Sequence, residues 1–443
     1  LSGPDSNPTW RKIRGSRHDN KLPQGSPTSS LIAGLVTEFF DVRITRFLAN
    51  RDCTYSRYCD DISISTNQRA FPKSVATQDP AWPGGWKLSE DLEGIFIRSG
   101  LPINYDKLRM SHNNSQKMAT GLVVNRYPNI PAKFYGDTRV WLDHYARTGR
   151  FVFKEFTESF GKNCPVEDAE DTVESEKNES SPRSSIERLS GRLAHIYHIR
   201  SKSVDIPFPS EVHEGNPQFW ELLQKFVFVR NFVANEQATV LTEGPSDIIH
   251  IKAAIRLNPT WAPHLFDQKE NRFRVRFFPH SGIFAKSMGV EGGAGNLGRF
   301  LNIFYQPPKR VNLRLRRNSV ILVTDNDKAC NPIFNRLSNA HKQNISYSEK
   351  KFAFKLQDFF YLLKAPQTDT KEETCIEDML SNSALSTPID GKTFEPEKSK
   401  FDETKHLSKV AFASALAKEG DISKYAGFKD YIAALDKCVS QTF

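Results

Sequence analysis

Two adjacent carboxylates, Asp60 and Asp61, stand between two short strand-like segments, residues 55–57 and 62–65. The pattern predicts a tight turn between two strands, with both acids at its tip. Polymerases need carboxylates clustered in this way, because two Mg²⁺ ions must activate a 3′-hydroxyl and neutralise a triphosphate leaving group. A bare pair of aspartates is also what most solvated turns contain, so the pair needs support from its context.

A second set of acids follows two strand-like segments in the C-terminal half. Glu243 comes directly after the run 238–242, and Asp325 and Asp327 come after the run 320–324. Open α/β sheets bind ligands at the carboxyl ends of their strands. Alternate residues of an extended segment point the same way, so Asp325 and Asp327 can share a metal ion. Acids that end two strands by chance are the alternative.

The elements that must position the first pair lie in residues 22–120. Short apolar runs alternate there with turn residues, and a helix is expected from Leu31 to Leu48, which together predict a mixed sheet with packed helices. A Gly/Pro turn at 22–30 opens this helix.

From residue 238 the chain alternates between strand-like and helix-length segments. Strands are expected at 238–242, 273–278, 319–324 and 351–356. This alternation is typical of a parallel α/β sheet. Ahead of it, residues 206–217 are expected to be a connector, followed by an aromatic helix near 219–232 that joins the two halves.

Three motifs resemble those of retron-type reverse transcriptases. Residues 22–30, LPQGSPTSS, are similar to the LPQGxPTSP motif of group II intron-like and retron enzymes. Residues 58–61, YCDD, follow at the family's spacing as its YxDD box. Residues 120–125, TGLVVN, resemble the segment in which retron enzymes leave the palm and enter the thumb.

The resemblance implies a reverse-transcriptase palm with a polymerase site. Asp60 and Asp61 would be its catalytic, Mg²⁺-binding residues, while Gln24, Gly25 and Tyr58 would line the nucleotide pocket. The family's third catalytic carboxylate precedes LPQG in a D-x-x-x-x-F setting, which no aspartate before residue 22 has. We therefore expect an N-terminally truncated chain that lacks the fingers and shows no polymerase activity alone.

A helical thumb would follow the palm. Helices are expected at 135–149 and 186–199, and by the resemblance basic side chains such as Arg139 and Arg147 would grip duplex phosphates. Surface charge without a partner is the alternative interpretation.

The second acidic set resembles the Toprim domain of topoisomerases, primases and OLD-type nucleases. The pattern is a strand, EGPSD (243–247), a helix, a second strand and then DND (325–327). It implies that Glu243 acts as general acid or base or as a second metal ligand, while Asp325 and Asp327 hold Mg²⁺ and Asp247 assists. Primase or topoisomerase activity is disfavoured, because no zinc domain or tyrosine nucleophile can be placed.

Two shorter segments extend this second resemblance. Residues 375–380, CIEDML, and 407–412, LSKVAF, are similar to the IED and GK segments of OLD-type Toprim nucleases. The similarity implies a second metal at Glu377 and a phosphate contact from Lys409. Charges on a helix surface are the alternative for both residues.

The composition favours a phosphate-bearing partner. Lys and Arg exceed Asp and Glu by 61 to 52, which gives a net charge of +9. The six cysteines form no CxxC pair, and neither a signal peptide nor a long apolar run occurs. These features predict a cytoplasmic protein without a membrane partner, and the resemblance to retron enzymes implies that the cytoplasm is bacterial.

The predicted architecture is an α+β palm and a helical thumb, followed by an α/β Toprim domain with a Rossmann-like parallel sheet. The predicted boundaries are 1–120 for the palm, 121–205 for the thumb with an acidic, disordered insertion at 161–185, 206–237 for the linker and docking helix, and 238–443 for the Toprim nuclease domain.

The predicted function combines synthesis and cleavage of nucleic acid. By resemblance, a retron reverse transcriptase makes a branched RNA–DNA product, msDNA, from a structured noncoding RNA, and a Mg²⁺-dependent Toprim nuclease serves antiphage defence. The expected partners are that RNA, its product and the nuclease substrate, and a homo-oligomer is left open. A nucleic-acid-binding scaffold with one or both acidic sites inactive is the alternative.

Overall fold

The computed structural model describes residues 28–59, 61–80, 85–112, 114–149, 182–201, 217–386, 388–395 and 400–441. The chain divides into two compact units, Leu1–Pro131 and Ala132–Phe443. None of the helices described is both long enough and apolar enough to cross a membrane.

The described residues of the first unit form two α-helices and three small antiparallel pairs of strands. The helices are α1 (Ser29–Ala49) and α2 (Glu90–Arg98). The strand pairs are β1 (Cys53–Tyr58) with β2 (Asp61–Thr66), β3 (Ala76–Gln78) with β4 (Trp86–Leu88), and β5 (Met118–Ala119) with β6 (Leu122–Val123). A 3₁₀ turn, Tyr105–Lys107, lies between α2 and β5.

Helix α1 confirms the helix expected at 31–48 and carries the core of this unit. Phe40, Ile44 and Leu48 recur every four residues and are at most 2% exposed, so one helix face packs against β1 and α2. The mixed sheet expected for 22–120 is wrong for the described residues. A short connection joins the two strands of each pair, which favours separate antiparallel hairpins.

The second unit contains ten of the described helices. They are α3 (Ala132–Thr148), α4 (Pro182–Ser201), α5 (Pro217–Phe228), α6 (Pro245–Leu257), α7 (Gly282–Met288), α8 (Ala294–Tyr305), α9 (Asn331–His341), α10 (Asn382–Ser386), α11 (Lys409–Glu419) and α12 (Lys429–Ser440). Helices α3 and α4 confirm those expected at 135–149 and 186–199.

The strands that the structure describes in the second unit form one five-stranded sheet and two small pairs. The sheet has the order β10 (Arg276–Phe277), β7 (Thr239–Leu241), β11 (Val320–Thr324), β13 (Phe360–Lys364), β12 (Ala353–Gln357). The small pairs are β8 (Phe266–Asp267) with β9 (Arg272–Phe273), and β14 (Thr393–Phe394) with β15 (His406–Leu407).

Four strands of the large sheet are parallel, which confirms a parallel-containing α/β sheet but corrects two of the expected strands. The segment expected at 351–356 is β12, which runs antiparallel to β13 at the sheet edge. Asp358 and Phe359 alone connect the two, which is too short for a crossover to a parallel neighbour. The strand expected at 273–278 is not continuous. Phe273 belongs to β9, which pairs with β8, and only Arg276–Phe277 joins the large sheet, as β10.

Helix α5 joins the helical part of the second unit to the sheet part. Lys225 of α5 forms an ion pair with Asp143 of α3, and Gln224 donates a hydrogen bond of 3.0 Å to the Ser287 carbonyl of α7. The helix continues into a π-helical turn, Val229–Val233, that is almost entirely buried. Thr239 of strand β7 donates to the Asn231 carbonyl of this turn at 2.7 Å.

Candidate active sites

The hairpin of β1 and β2 presents the first acidic pair where the sequence predicts a turn. The register runs from Cys53 opposite Thr66 to Tyr58 opposite Asp61, so two positions connect the strands. Cys59 has a φ of 51°, a left-handed conformation typical of two-residue hairpin loops. Tyr58 is 69% exposed and Asp61 is exposed. Asp60, Gln24 and Gly25 lie outside the described residues.

Arg57 connects this turn to helix α1. Its guanidinium donates two hydrogen bonds to the Asp41 carboxylate, Nε at 2.9 Å and Nη2 at 2.6 Å, and Nη1 donates to the Cys59 carbonyl at 2.8 Å. The Tyr55 hydroxyl donates to the same carboxylate at 2.5 Å. The hydrogen bonds from Arg57 hold the pKa of Asp41 below its ordinary value. Arg57 therefore fixes the backbone that precedes the acidic pair.

The sequence did not single out Arg57 or Asp41 as functional. Arg57 stands two residues before Cys59 in an alternating strand, but its partner lies 16 residues away on a helix. A contact of this kind depends on how α1 packs on the hairpin, so one sequence alone gives no signal for it.

The second acidic set gathers at the carboxyl ends of the neighbouring strands β7 and β11. The Glu243 carboxylate accepts hydrogen bonds from the Asp325 backbone N–H at 3.2 Å and from the Cys330 thiol at 3.3 Å. The Gly293 N–H donates to the Glu243 carbonyl at 2.8 Å, which holds the glycine-rich loop before α8 beside this acid. The Cys330 thiol was not predicted as a site residue.

Asp247 lies in the first turn of α6 and is 5% exposed. Its carboxylate accepts a hydrogen bond of 2.8 Å from the Gly244 N–H, as a helix-capping residue does. Burial, followed by the negative charges of Glu377 and Glu243, raises the pKa of Asp247 to about 7. A capping role for Asp247 does not explain why the carboxylates of Glu377 and Glu243 also lie close enough to raise its pKa.

Glu377 is 2% exposed in the 3₁₀ turn Ile376–Met379. Its Oε2 accepts an ion-pair hydrogen bond of 3.2 Å from Lys409 Nζ at the start of α11, while its Oε1 is buried and without a hydrogen-bond partner among the described residues. Burial lowers the pKa of Lys409, but the charge of Glu377 and its neighbours raises it above the ordinary value. Lys409 is thus the cation of the cluster.

Asp325 is the centre of this cluster. Its Oδ1 accepts a hydrogen bond of 3.1 Å from the Ile376 N–H. Burial, followed by the charges of Asp247 and Glu243, holds its pKa well above the usual range. Four carboxylates crowd one place, and a hard divalent cation bound by oxygen ligands would relieve their repulsion.

Asp327 has a different environment from Asp325. Its carboxylate accepts a hydrogen bond of 3.0 Å from the Cys330 N–H and so caps the turn Lys328–Cys330. In the described parts of the chain, no group of three or more His, Cys, Asp or Glu side chains is arranged so that it could hold a metal ion. Carboxylate oxygens are suitable ligands for a divalent cation, and the unpartnered Glu377 Oε1 could bind one. In this structure, however, the other carboxylates of the cluster form hydrogen bonds to protein groups.

Of the three residues expected to contact nucleic acid, two lie on α3. Arg139 and Arg147 are exposed on this helix, one near its middle and one in its last turn. Lys409 is ion-paired with Glu377, so it would have to leave that carboxylate to reach a phosphate.

No protein-family model matches the chain, and no solved structure gives a significant match. Among curated proteins, part of the chain is similar to retron reverse transcriptases. The retron Ec86 reverse transcriptase of Escherichia coli is 31% identical over 128 residues, 29% of this chain and 36% of that protein. The retron Mx162 reverse transcriptase of Myxococcus xanthus is 34% identical over 104 residues, 24% of this chain and 21% of that protein.

The chain therefore spans about a third or less of the length of these relatives. The similarity confirms the resemblance to retron reverse transcriptases over that part of the chain. The Toprim resemblance, the site residues and the domain boundaries stay predictions.

Proposed function

We propose that the first unit is the nucleotide-adding part of a retron reverse transcriptase that makes msDNA from a structured noncoding RNA. The observation that carries this is the hairpin tip, where Asp61 is exposed next to a turn held by Arg57, in a chain similar to retron reverse transcriptases. Asp60 and Asp61 would hold Mg²⁺, which would activate the primer hydroxyl and neutralise the leaving group. Tyr58 offers an exposed ring beside the nucleotide.

Iron(II) substituted for Mg²⁺ tests the first site, because bound iron with ascorbate and peroxide cuts the backbone next to it. With a deoxynucleoside triphosphate present, we expect a cut near residues 59–61 that is lost in Asp61→Asn. The matched control is Asp106→Asn, an exposed acid of the same unit, which keeps the cut. A protein without any cut at the hairpin contradicts the proposal.

We further propose that the cluster of Glu243, Asp247, Asp325 and Glu377 is the metal site of a Toprim-type nuclease. The observation that carries this is the crowding of carboxylates from separate elements at the carboxyl ends of β7 and β11. Asp325 and Glu377 would hold Mg²⁺, joined by Asp327 once it leaves its cap. Glu243 would exchange a proton with the attacking water or the leaving oxygen.

Cleavage of labelled tRNA, single-stranded DNA and duplex DNA, each with Mg²⁺ or EDTA, tests the nuclease. We expect cleavage with Mg²⁺ that Asp325→Ala abolishes. Asp358→Ala is the matched control, since the Asp358 side chain is 87% exposed on the β12–β13 turn. Binding without cleavage by the wild-type protein would instead favour a nucleic-acid-binding scaffold.

For the biological role, we propose that the reverse transcriptase and its msDNA restrain the nuclease until phage infection releases it. The support is the presence of both kinds of acidic site in one chain. Cleavage rates of the purified complex and of product-free protein test this, and we expect the complex to be slower. Equal rates would contradict the restraint without affecting either site assignment.

A further inference from the structure

An ordered basic loop, residues 306–318, connects α8 to β11. It contains five cations and no acid. Four of these, Lys309, Arg310, Arg314 and Arg317, are exposed. The fifth, Arg316, turns inward and lies over the Phe304 ring at 4.5 Å.

The basic loop is fixed to the end of α3 by hydrogen bonds from one side chain and its backbone. The Asn312 N–H donates to the Ala146 carbonyl at 3.0 Å, and Asn312 Nδ2 donates to the Arg147 carbonyl at 3.1 Å. Asn312 Oδ1 also accepts from the Arg314 N–H at 3.1 Å, which starts the 3₁₀ turn Leu313–Leu315. The exposed Arg147 therefore belongs to the same surface as the loop.

The exposed cations of this surface have little compensating negative charge. Of the exposed cations on this surface, Arg310 alone has a carboxylate partner among the described residues, Asp143 at 3.4 Å, and the Arg310 side chain remains 75% exposed. That carboxylate is already ion-paired with the buried Lys225. Like charges held in one loop repel one another, and a bound polyanion would relieve this repulsion.

We propose that the basic loop and Arg147 form a surface that holds the phosphate backbone of nucleic acid. Arginine suits this role because its planar guanidinium donates paired hydrogen bonds to phosphate oxygens. The loop carries no aromatic side chain on which bases could stack, so recognition is of phosphates and independent of base sequence. The proposal goes beyond the proposed function, because it needs neither carboxylate site.

Equilibrium binding in EDTA, as a function of KCl concentration, tests the proposal. The probes are a duplex DNA, an RNA hairpin and a single-stranded DNA. The test variant combines Lys309→Gln, Arg310→Gln, Arg314→Gln and Arg317→Gln. The control variant removes four exposed cations elsewhere in the same unit: Lys269→Gln, Lys350→Gln, Lys355→Gln and Lys418→Gln.

Each phosphate contact contributes about 0.9 to the slope of log K against log salt for a duplex and about 0.7 for a single strand. We therefore expect the test variant to flatten the slope by about 3 for each probe that binds and to weaken binding at least about ten-fold at 0.1 M salt. The control variant should change the slope by less than about 1. A double variant, Arg314→Glu with Arg317→Glu, repeats the measurement should the fourfold variant fail to fold.

Three outcomes would overturn the proposal: an unchanged slope in the test variants, an equal loss in the control variant, or loop-dependent binding to anionic phosphatidylserine vesicles without any to nucleic acid. The iron cut near residues 59–61 in the test variants distinguishes this failure from failure of the proposed polymerase site, because it reports that site independently of the loop.

Discussion

Replacing Asp247 by Asn tests whether the carboxylate cluster is electrostatically crowded. The asparagine keeps the shape of the side chain, and its Oδ1 can still accept the hydrogen bond from the Gly244 N–H. What the substitution removes is one negative charge at a position that is 5% exposed and close to Glu377 and Glu243.

The magnitude follows from the pKa of this carboxyl, which burial and its neighbours raise from 3.8 to about 7. A raised folded pKa means that the folded state binds more protons than the unfolded state, so stability is lost as pH rises from about 4 to 7. At about 1.4 kcal/mol per pKa unit, an isolated carboxyl would lose about 4 kcal/mol. Because the neighbouring acids share protons, we expect about half of this, roughly 2 kcal/mol.

Urea unfolding in EDTA measures the effect at two pH values. Asp247→Asn should be more stable than the wild type by about 2 kcal/mol at pH 8, and by less than about 1 kcal/mol at pH 4.5. Mg²⁺ should then stabilise the wild type more than the variant. A variant destabilised by about 1 kcal/mol at both pH values would refute the reasoning, since Asp247 would then be a helix cap and no more.

Two further predictions concern other parts of the chain. Arg57→Met should destabilise the first unit by about 2 kcal/mol, because the Asp41 carboxylate loses its paired hydrogen bonds; an unchanged urea midpoint would contradict this. Gly427→Ala should cost about 2 kcal/mol, because the new Cβ would overlap the Met379 carbonyl oxygen, and a wild-type melting temperature would show that this contact relaxes freely.

The sequence predicts the helices well because their buried faces are periodic. In α1, Phe40, Ile44 and Leu48 place one apolar face toward the hairpin. The sequence is less informative about strand β13, Phe360–Lys364. This strand follows β12 after two residues, but its parallel neighbour, β11, lies about forty residues earlier. Direction and partner of a buried strand depend on tertiary pairing, which apolar runs alone do not specify.

The positions of the acids are more predictable than the contacts that surround them. Topology places Glu243 and Asp325 at neighbouring strand ends, as the rule for open α/β sheets requires. The ion pair between Lys409 and Glu377 and the thiol of Cys330 against Glu243 join residues 32 and 87 positions apart. Such contacts arise from the packing of loops and helices around the sheet and have no signature in a single sequence.

The central claim is that separate groups of carboxylates in this chain bind divalent cations. A crystal structure with Mn²⁺, analysed by anomalous scattering, tests it most directly. We predict one peak about 2.2 Å from carboxylate oxygens of Asp325 and Glu377, with Lys409 displaced, and another beside Asp61. Anomalous maps with neither peak, and with Lys409 still bound to Glu377, would contradict the proposal that these carboxylates bind divalent cations.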